Sequence, residues 1–99
     1  MIPRFHLAFP VHNLKMAKQF YIQVLGCSLG RESDKWVDFN LYGHQIVAHL
    51  APKDCDKQQK NIVDGDEIPS RHFGVILDWV EWEILCKRII DEDVKFYLK

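Results

Sequence analysis

FHLAFPVHNLKMAKQFYIQVLG, residues 5–26, carries the reading of the fold. Phe5, Leu7 and Phe9 alternate with His6 and Ala8, and Pro10 cannot donate to a sheet ladder, so Arg4 to Phe9 reads as a short strand ending there. Asn13 then caps a helix. Its apolar positions, Leu14, Ala17, Phe20, Tyr21, Val24 and Leu25, recur at three- and four-residue steps until Gly26 closes it. One strand followed by one amphipathic helix is the start of a mixed domain.

Outward from that unit the pattern returns to period two. Trp36 to Tyr42 sets Val37, Phe39 and Leu41 against Trp36, Asp38 and Asn40, with a corner at Gly43-His44. Gln45 to Leu50 comes back with Ile46, Ala48 and Leu50 on one face and Gln45, Val47 and His49 on the other. With a short segment at Cys27 to Arg31, residues 1–52 read as β-α-β-β-β. Pro52 to Ser70 is polar and without periodicity, so residues 53–70 read as a connecting loop. Arg71 to Leu77 alternates again, and D-x-x-E at Asp78 to Glu81 opens a helix expected to turn Trp82, Leu85, Cys86, Ile89 and Ile90 inward. Val94 to Leu98 begins one more strand. The expected fold is α+β, two paired βαβββ modules forming one domain, the first complete and the second (residues 71–99) cut to βαβ.

Composition narrows the function. Ninety-nine residues with 47% hydrophobic content supply one modest core. Thirteen basic residues against fourteen acidic ones give no field to attract nucleic acid or an anionic membrane. No apolar run approaches a membrane span, so a small-molecule partner is expected. Cys27, Cys55 and Cys86 form no CxxC pair, and an odd count makes no closed disulfide framework, which fits a reducing cytoplasm. Cys27 and Cys86 read as small core residues and Cys55 as an exposed thiol. Phe20, Tyr21, Phe39, Phe73 and Trp82 fall on inward stripes.

The two strand-helix units repeat: His6-Leu7-Ala8-Phe9 overlays His72-Phe73-Gly74-Val75. Each copy places a histidine and, two residues on, a small residue on the face away from its helix. If the modules pair their sheets, His6 and His72 face each other across one concavity. Neutral imidazole is a common ligand of Zn, Fe, Ni and Mn. A lone strand histidine is more often a hydrogen-bonded structural residue, and it is the pairing that lifts these two.

The pattern F-H-L-A-F-P-V-x-N-L-x-x-A-x-x-F-Y-x-x-V-L-G resembles the opening module of the vicinal oxygen chelate superfamily, which includes glyoxalase I and the extradiol dioxygenases. WVDFNLYGHQIVAHL and RHFGVILD resemble, more narrowly, a bacterial group of predicted extradiol-type dioxygenases. The resemblance implies a divalent metal held by His6 and His72, with Fe(II) first and Mn, Ni or Zn as alternatives. A glutamate on the family's last strand would complete it, and the expectation is that this chain stops before that strand. His49 is expected to stand where metal-bound glyoxalase I carries a first-module glutamate, which argues against lyase chemistry. In the dioxygenase reading a catecholate-like substrate binds through adjacent oxygens, with His49 as an acid or base or an extra ligand. The plainer alternative for His49 is a hydrogen bond to Asn40 or Asp38. Trp36, Asn40 and Gln45 are candidate substrate contacts, equally at home at a sheet edge, while His44 and His12 take no site role.

Two other functions compete: a metal-free binding protein of the bleomycin-resistance type, and a non-catalytic remnant. A homodimer is expected in each, because a half-built module leaves a strand edge and an apolar face open.

Overall fold

Side-chain alternation and one proline decide how the first module is built. In the computed structural model, which describes residues 2–55 and 60–94, β1 (His6–Val11), β2 (Ser28–Glu32), β3 (Trp36–Leu41) and β4 (His44–Leu50) form one sheet in the order β1-β4-β3-β2. β1 runs parallel to β4, and β4-β3 and β3-β2 are antiparallel. A parallel pair needs a long crossover. It is supplied by α1 (Leu14–Lys18), a π-helical continuation (Gln19–Val24), and the two strands that follow. This is a complete βαβββ module in an α+β chain.

β1 does not stop at Phe9 as the proline suggested; it runs through Pro10 to Val11. The amides of Gln45 and Ala51 donate to Phe5 O and Val11 O, both at 3.1 Å, so the odd-numbered residues address β4. The backbone of His6, Ala8 and Pro10 therefore turns to the free edge of the sheet, where a missing N–H costs no ladder bond.

Asn13 caps the helix as expected, its Oδ1 accepting the Met16 amide at 2.9 Å. The last turns widen: the Leu25 amide donates to Phe20 O, five residues back, and Gly26 (φ 78°) closes the helix in the left-handed conformation. This helix lies on the face of the sheet carrying Val37, Phe39, Leu41, Ile46 and Ala48, all buried with Ala17 and Cys27. Tyr21 stacks on Phe39 at 5.1 Å between ring centroids and touches Phe9 at 5.4 Å. The corner between β3 and β4 is Tyr42-Gly43, both at positive φ, one residue earlier than the sequence suggested.

The polar stretch after β4 is not a featureless loop. α2 (Pro52–Cys55) is followed by a hairpin of β5 (Lys60–Val63) and β6 (Asp66–Pro69). Asp64-Gly65, at φ 51° and 86°, is the two-residue turn that matches strand twist. The strand expected at Arg71 to Leu77 does not form: 72–78 carry no regular structure, and no ladder pairs them among the described residues. Strands are stabilised by their partners, and alternation alone does not provide one. The segment still lies along β1, with Phe73 against Phe9 at 5.2 Å and Val75 packed on the core.

Asp78 caps α3 (Trp79–Asp91), its Oδ1 accepting the Glu81 amide at 2.9 Å. The inward face expected of α3 is only half realised. Leu85, Cys86 and Ile89 are half-buried, while Trp82 and Ile90 are exposed, as are Phe20 and Phe73 more marginally. α3 is anchored through Arg88, whose guanidinium donates to Gln23 O and Ile22 O at the carboxyl end of the first helix. The strand expected from Val94 to Leu98 lies, beyond Val94 itself, outside the described residues.

Candidate metal and ligand face

The sheet face turned away from the first helix is organised in three rows. Residues directly opposite in a ladder share a face. By register these are His6, Gln45 and Asn40; then Ala8, Val47 and Asp38; then Pro10, His49 and Trp36. Every site residue expected from β1, β3 and β4 therefore falls on one surface, as the alternation implied.

A chain of polar contacts crosses that surface. The His6 ring meets Gln45 through Nδ1 and Oε1 at 2.9 Å. Gln45 Nε2 donates to Asp38 Oδ2 at 3.1 Å, and Arg31 Nε donates to the same oxygen at 3.4 Å. Asp38 is the buried charged residue of the described chain, 6% exposed, and Gly30 lets β2 close over it, since a Cβ there would stand 3.0 Å from Asp38 Cβ. Arg31 also lies over the Trp36 ring, 5.6 Å from its centroid. Neither Asp38 nor Arg31 was singled out as functional in the sequence. The signal available for Asp38 was its place between Trp36 and Asn40 on the polar side of β3.

The acceptors fix how the two key imidazoles are protonated when neutral. His72 Nδ1 is 2.8 Å from Pro69 O, and a carbonyl only accepts, so Nδ1 carries the proton and Nε2 the lone pair. For His6 the same holds through Gln45 Oε1. A metal-ligating histidine characteristically donates its other ring N–H to an oxygen acceptor. Both rings are exposed. Each ring, taken by itself, thus has the donor chemistry of a metal ligand, but the structure does not group the two: His72 borders a groove that His6 does not. The carboxylate expected as third donor is not grouped with them: the described residues contain no cluster of three or more His, Cys, Asp or Glu side chains arranged to hold one.

The other candidates separate along the face. His49 stands opposite Pro10, four residues along β4 from Gln45, about 13 Å at ~3.3 Å per residue. Within this sheet it does not meet His6. The hydrogen bond suggested for His49 is not made either: Asp38 Oδ2 pairs with Gln45 and Arg31, and Asn40 Oδ1 accepts the Gly43 amide at 2.8 Å. His44, expected to be solvated, accepts the Phe5 amide on Nδ1 at 3.0 Å.

A groove of about 1060 Å³ runs beside β1, bordered by Ala8, Phe9, Pro10, Tyr21, His72 and Phe73 among others; His6 does not border it. Burial, with a smaller contribution from Cys27, pushes the Tyr21 hydroxyl up to about 12. Its phenol stays protonated and the groove wall neutral there. Burial likewise raises the Cys27 thiol, which reads as a core residue.

No protein of curated function matches the chain. Among solved structures, a glyoxalase/bleomycin resistance protein/dioxygenase from Alicyclobacillus acidocaldarius is similar at 30% identity and TM-score 0.74, over 96% of this chain and 67% of that one. An integron cassette protein from the mobile metagenome of the Halifax Harbour sewage outfall shares the fold at 23% identity and TM-score 0.66, over 93% of this chain and 72% of that one. An integron cassette protein from the mobile metagenome of V. cholerae does so at 19% and 0.65, over 100% and 73%. The sequence profile of one family covers residues 5–97. The chain belongs to the Glyoxalase/Bleomycin resistance protein/Dioxygenase superfamily.

Proposed function

We propose that this chain is a metal-dependent member of its superfamily, of extradiol-dioxygenase-like character, in which His6 and His72 each give Nε2 to one divalent cation. The observation that carries the reading is the matched state of the two rings, each with Nδ1 held by an oxygen acceptor and Nε2 left to coordinate. Fe(II) is the leading ion, with Mn, Ni and Zn next. Bound there, it would supply Lewis acidity and open positions for a small molecule with adjacent oxygens.

The chain's own residues would do the rest. A substrate lying along the rows from His6 toward Pro10 would pass Ala8, which leaves room, and bring its far end to His49 and Trp36. His49, about 13 Å up the face, suits an acid, a base or a hydrogen bond to that far end better than a place on the cation. The Trp36 ring, with the Arg31 guanidinium over it, would make a flat, cationic end to that path. The carboxylate would come from a further strand or from the second copy of a homodimer.

A metal-free binding protein is the second reading, favoured by the apolar groove beside Phe20, Tyr21 and Phe73. Metal analysis of the purified protein separates the two. The first predicts stoichiometric metal that falls away in both His6→Ala and His72→Ala; metal-free protein that refuses added Fe(II), Mn, Ni and Zn while binding an aromatic ligand would establish the second.

A further inference from the structure

The relay His6–Gln45–Asp38–Arg31 spans all four strands of the sheet and joins residues 39 and 7 apart in sequence. Its members are not interchangeable. A carboxylate only accepts hydrogen bonds, so the Gln45 atom facing Asp38 is the amide nitrogen. A planar amide has one oxygen, and that oxygen is left for His6. It too only accepts, so the proton between Gln45 and His6 sits on the imidazole Nδ1. The direction of the whole chain is set at Asp38, the member buried in the sheet, with Arg31 as counter-charge on the same oxygen.

We infer that Gln45 is a positioning residue for His6: oriented by the buried Asp38 carboxylate, its amide holds the ring with Nδ1 protonated and the Nε2 lone pair directed outward. The inference rests on the proposed role of His6 as a ligand, and it gives Gln45 a task other than contacting substrate. An amide held at both ends is poorly placed to rearrange around a ligand. A ring whose tautomer and rotation are already chosen loses less freedom when it coordinates.

The test reads the ring itself, in metal-free protein, by nitrogen-15 NMR of the His6 side chain at a pH where imidazole is neutral. The wild type should show His6 as the Nδ1–H form. Gln45→Leu, which removes the acceptor from an exposed position, should move the population to the Nε2–H form that free imidazole side chains prefer. Asp38→Leu keeps Gln45 but frees its amide to turn, and should give a mixture; since Asp38 is buried, an unchanged amide spectrum for β3 and β4 is required of that variant. A wild-type ring in the Nε2–H form, or one that ignores Gln45→Leu, would overturn the inference.

Titration of the same proteins with Zn²⁺ by calorimetry keeps this result apart from the metal reading. Gln45→Leu should weaken binding by roughly 10- to 100-fold, the range seen when a partner of a ligand histidine is removed. If the ring is locked and responds to both variants but the wild type takes up no Zn²⁺, Fe(II), Mn or Ni, the lock stands and the metal-dependent function fails. If Zn²⁺ binds through His6 and Gln45→Leu changes neither tautomer nor affinity, the metal reading stands and the positioning role fails.

Discussion

The two halves of the described chain use apolar residues to opposite effect. Every buried hydrophobic side chain lies between Ala17 and Ala48. From Lys60 to Val94 no described residue is buried, although Phe73, Ile76, Trp79, Val80, Trp82, Ile84 and Ile90 are all there. Both halves contain alternating or helical apolar stripes, so patterning is not what differs. The first stripe has a sheet of four strands to lie on, whereas α3 has the carboxyl end of one helix. Burial is a property of two surfaces that meet, and a stripe without its counterpart remains exposed.

The largest effect that sharpens this contrast belongs to Phe39, 1% exposed at the centre of β3 and stacked by Tyr21. Phe39→Ala should cost about 3–5 kcal/mol of folding free energy, the range for deleting a buried aromatic ring. Urea denaturation followed by tryptophan fluorescence measures it, and a loss below about 1 kcal/mol would mean that the sheet-helix interface is not the core.

Tyr21 supplies a second test on the same interface through pH. Its folded-state pKa is raised from 10.0 to about 12, so the folded protein holds that proton more tightly than the unfolded chain does. The associated stability is fully present below pH 10 and is lost as pH rises from there to about 12. Tyr21→Phe, with no proton to lose, should flatten that part of the melting-temperature profile; an identical profile in wild type and variant would remove Tyr21 as its source.

Arg88 tests the seam between the halves. Its guanidinium satisfies carbonyls at the end of the first helix, and charged hydrogen bonds of this kind contribute about 1.5–3 kcal/mol each when shielded, less when exposed as here. Arg88→Ala should lower stability by about 1 kcal/mol. The local consequence is more telling: hydrogen exchange should quicken over Trp79–Asp91 and leave β3 and β4 unchanged. Uniform acceleration would show the halves to be one cooperative unit.

How much of this could be read in the sequence follows the same division. The cap at Asn13, the closing Gly26 and the faces of β3 and β4 depend on residues within a few positions of each other, and all were legible. So was the placing of His6, Gln45, His49, Trp36 and Asn40 on one surface. The hairpin at Lys60 to Pro69 carried its own signal in Asp64-Gly65, which the polar composition around it obscured. The alternation of Arg71 to Leu77 was present, but whether it becomes a strand depends on a neighbour that no local pattern names. The relay behind His6 was out of reach for a related reason: it exists only once β1 meets β4 in the register that puts His6 beside Gln45. A one-residue slip would send Gln45 to the other face.

The smallest expected effect tests the claim most directly. Trp82 is 49% exposed and stacks on its helical neighbour Trp79 at 5.1 Å, with no buried residue elsewhere on α3. An exposed side chain away from caps, cavities and buried networks changes stability within about ±0.5 kcal/mol. Trp82→Ser should therefore leave the urea midpoint of the dilute monomer unmoved, even though it removes the same kind of large aromatic ring whose loss at Phe39 is severe. A cost of 2 kcal/mol or more, rising with protein concentration, would mean that this face of α3 is covered in solution by a second copy, and that the contrast between the halves belongs to the isolated chain and not to the working protein.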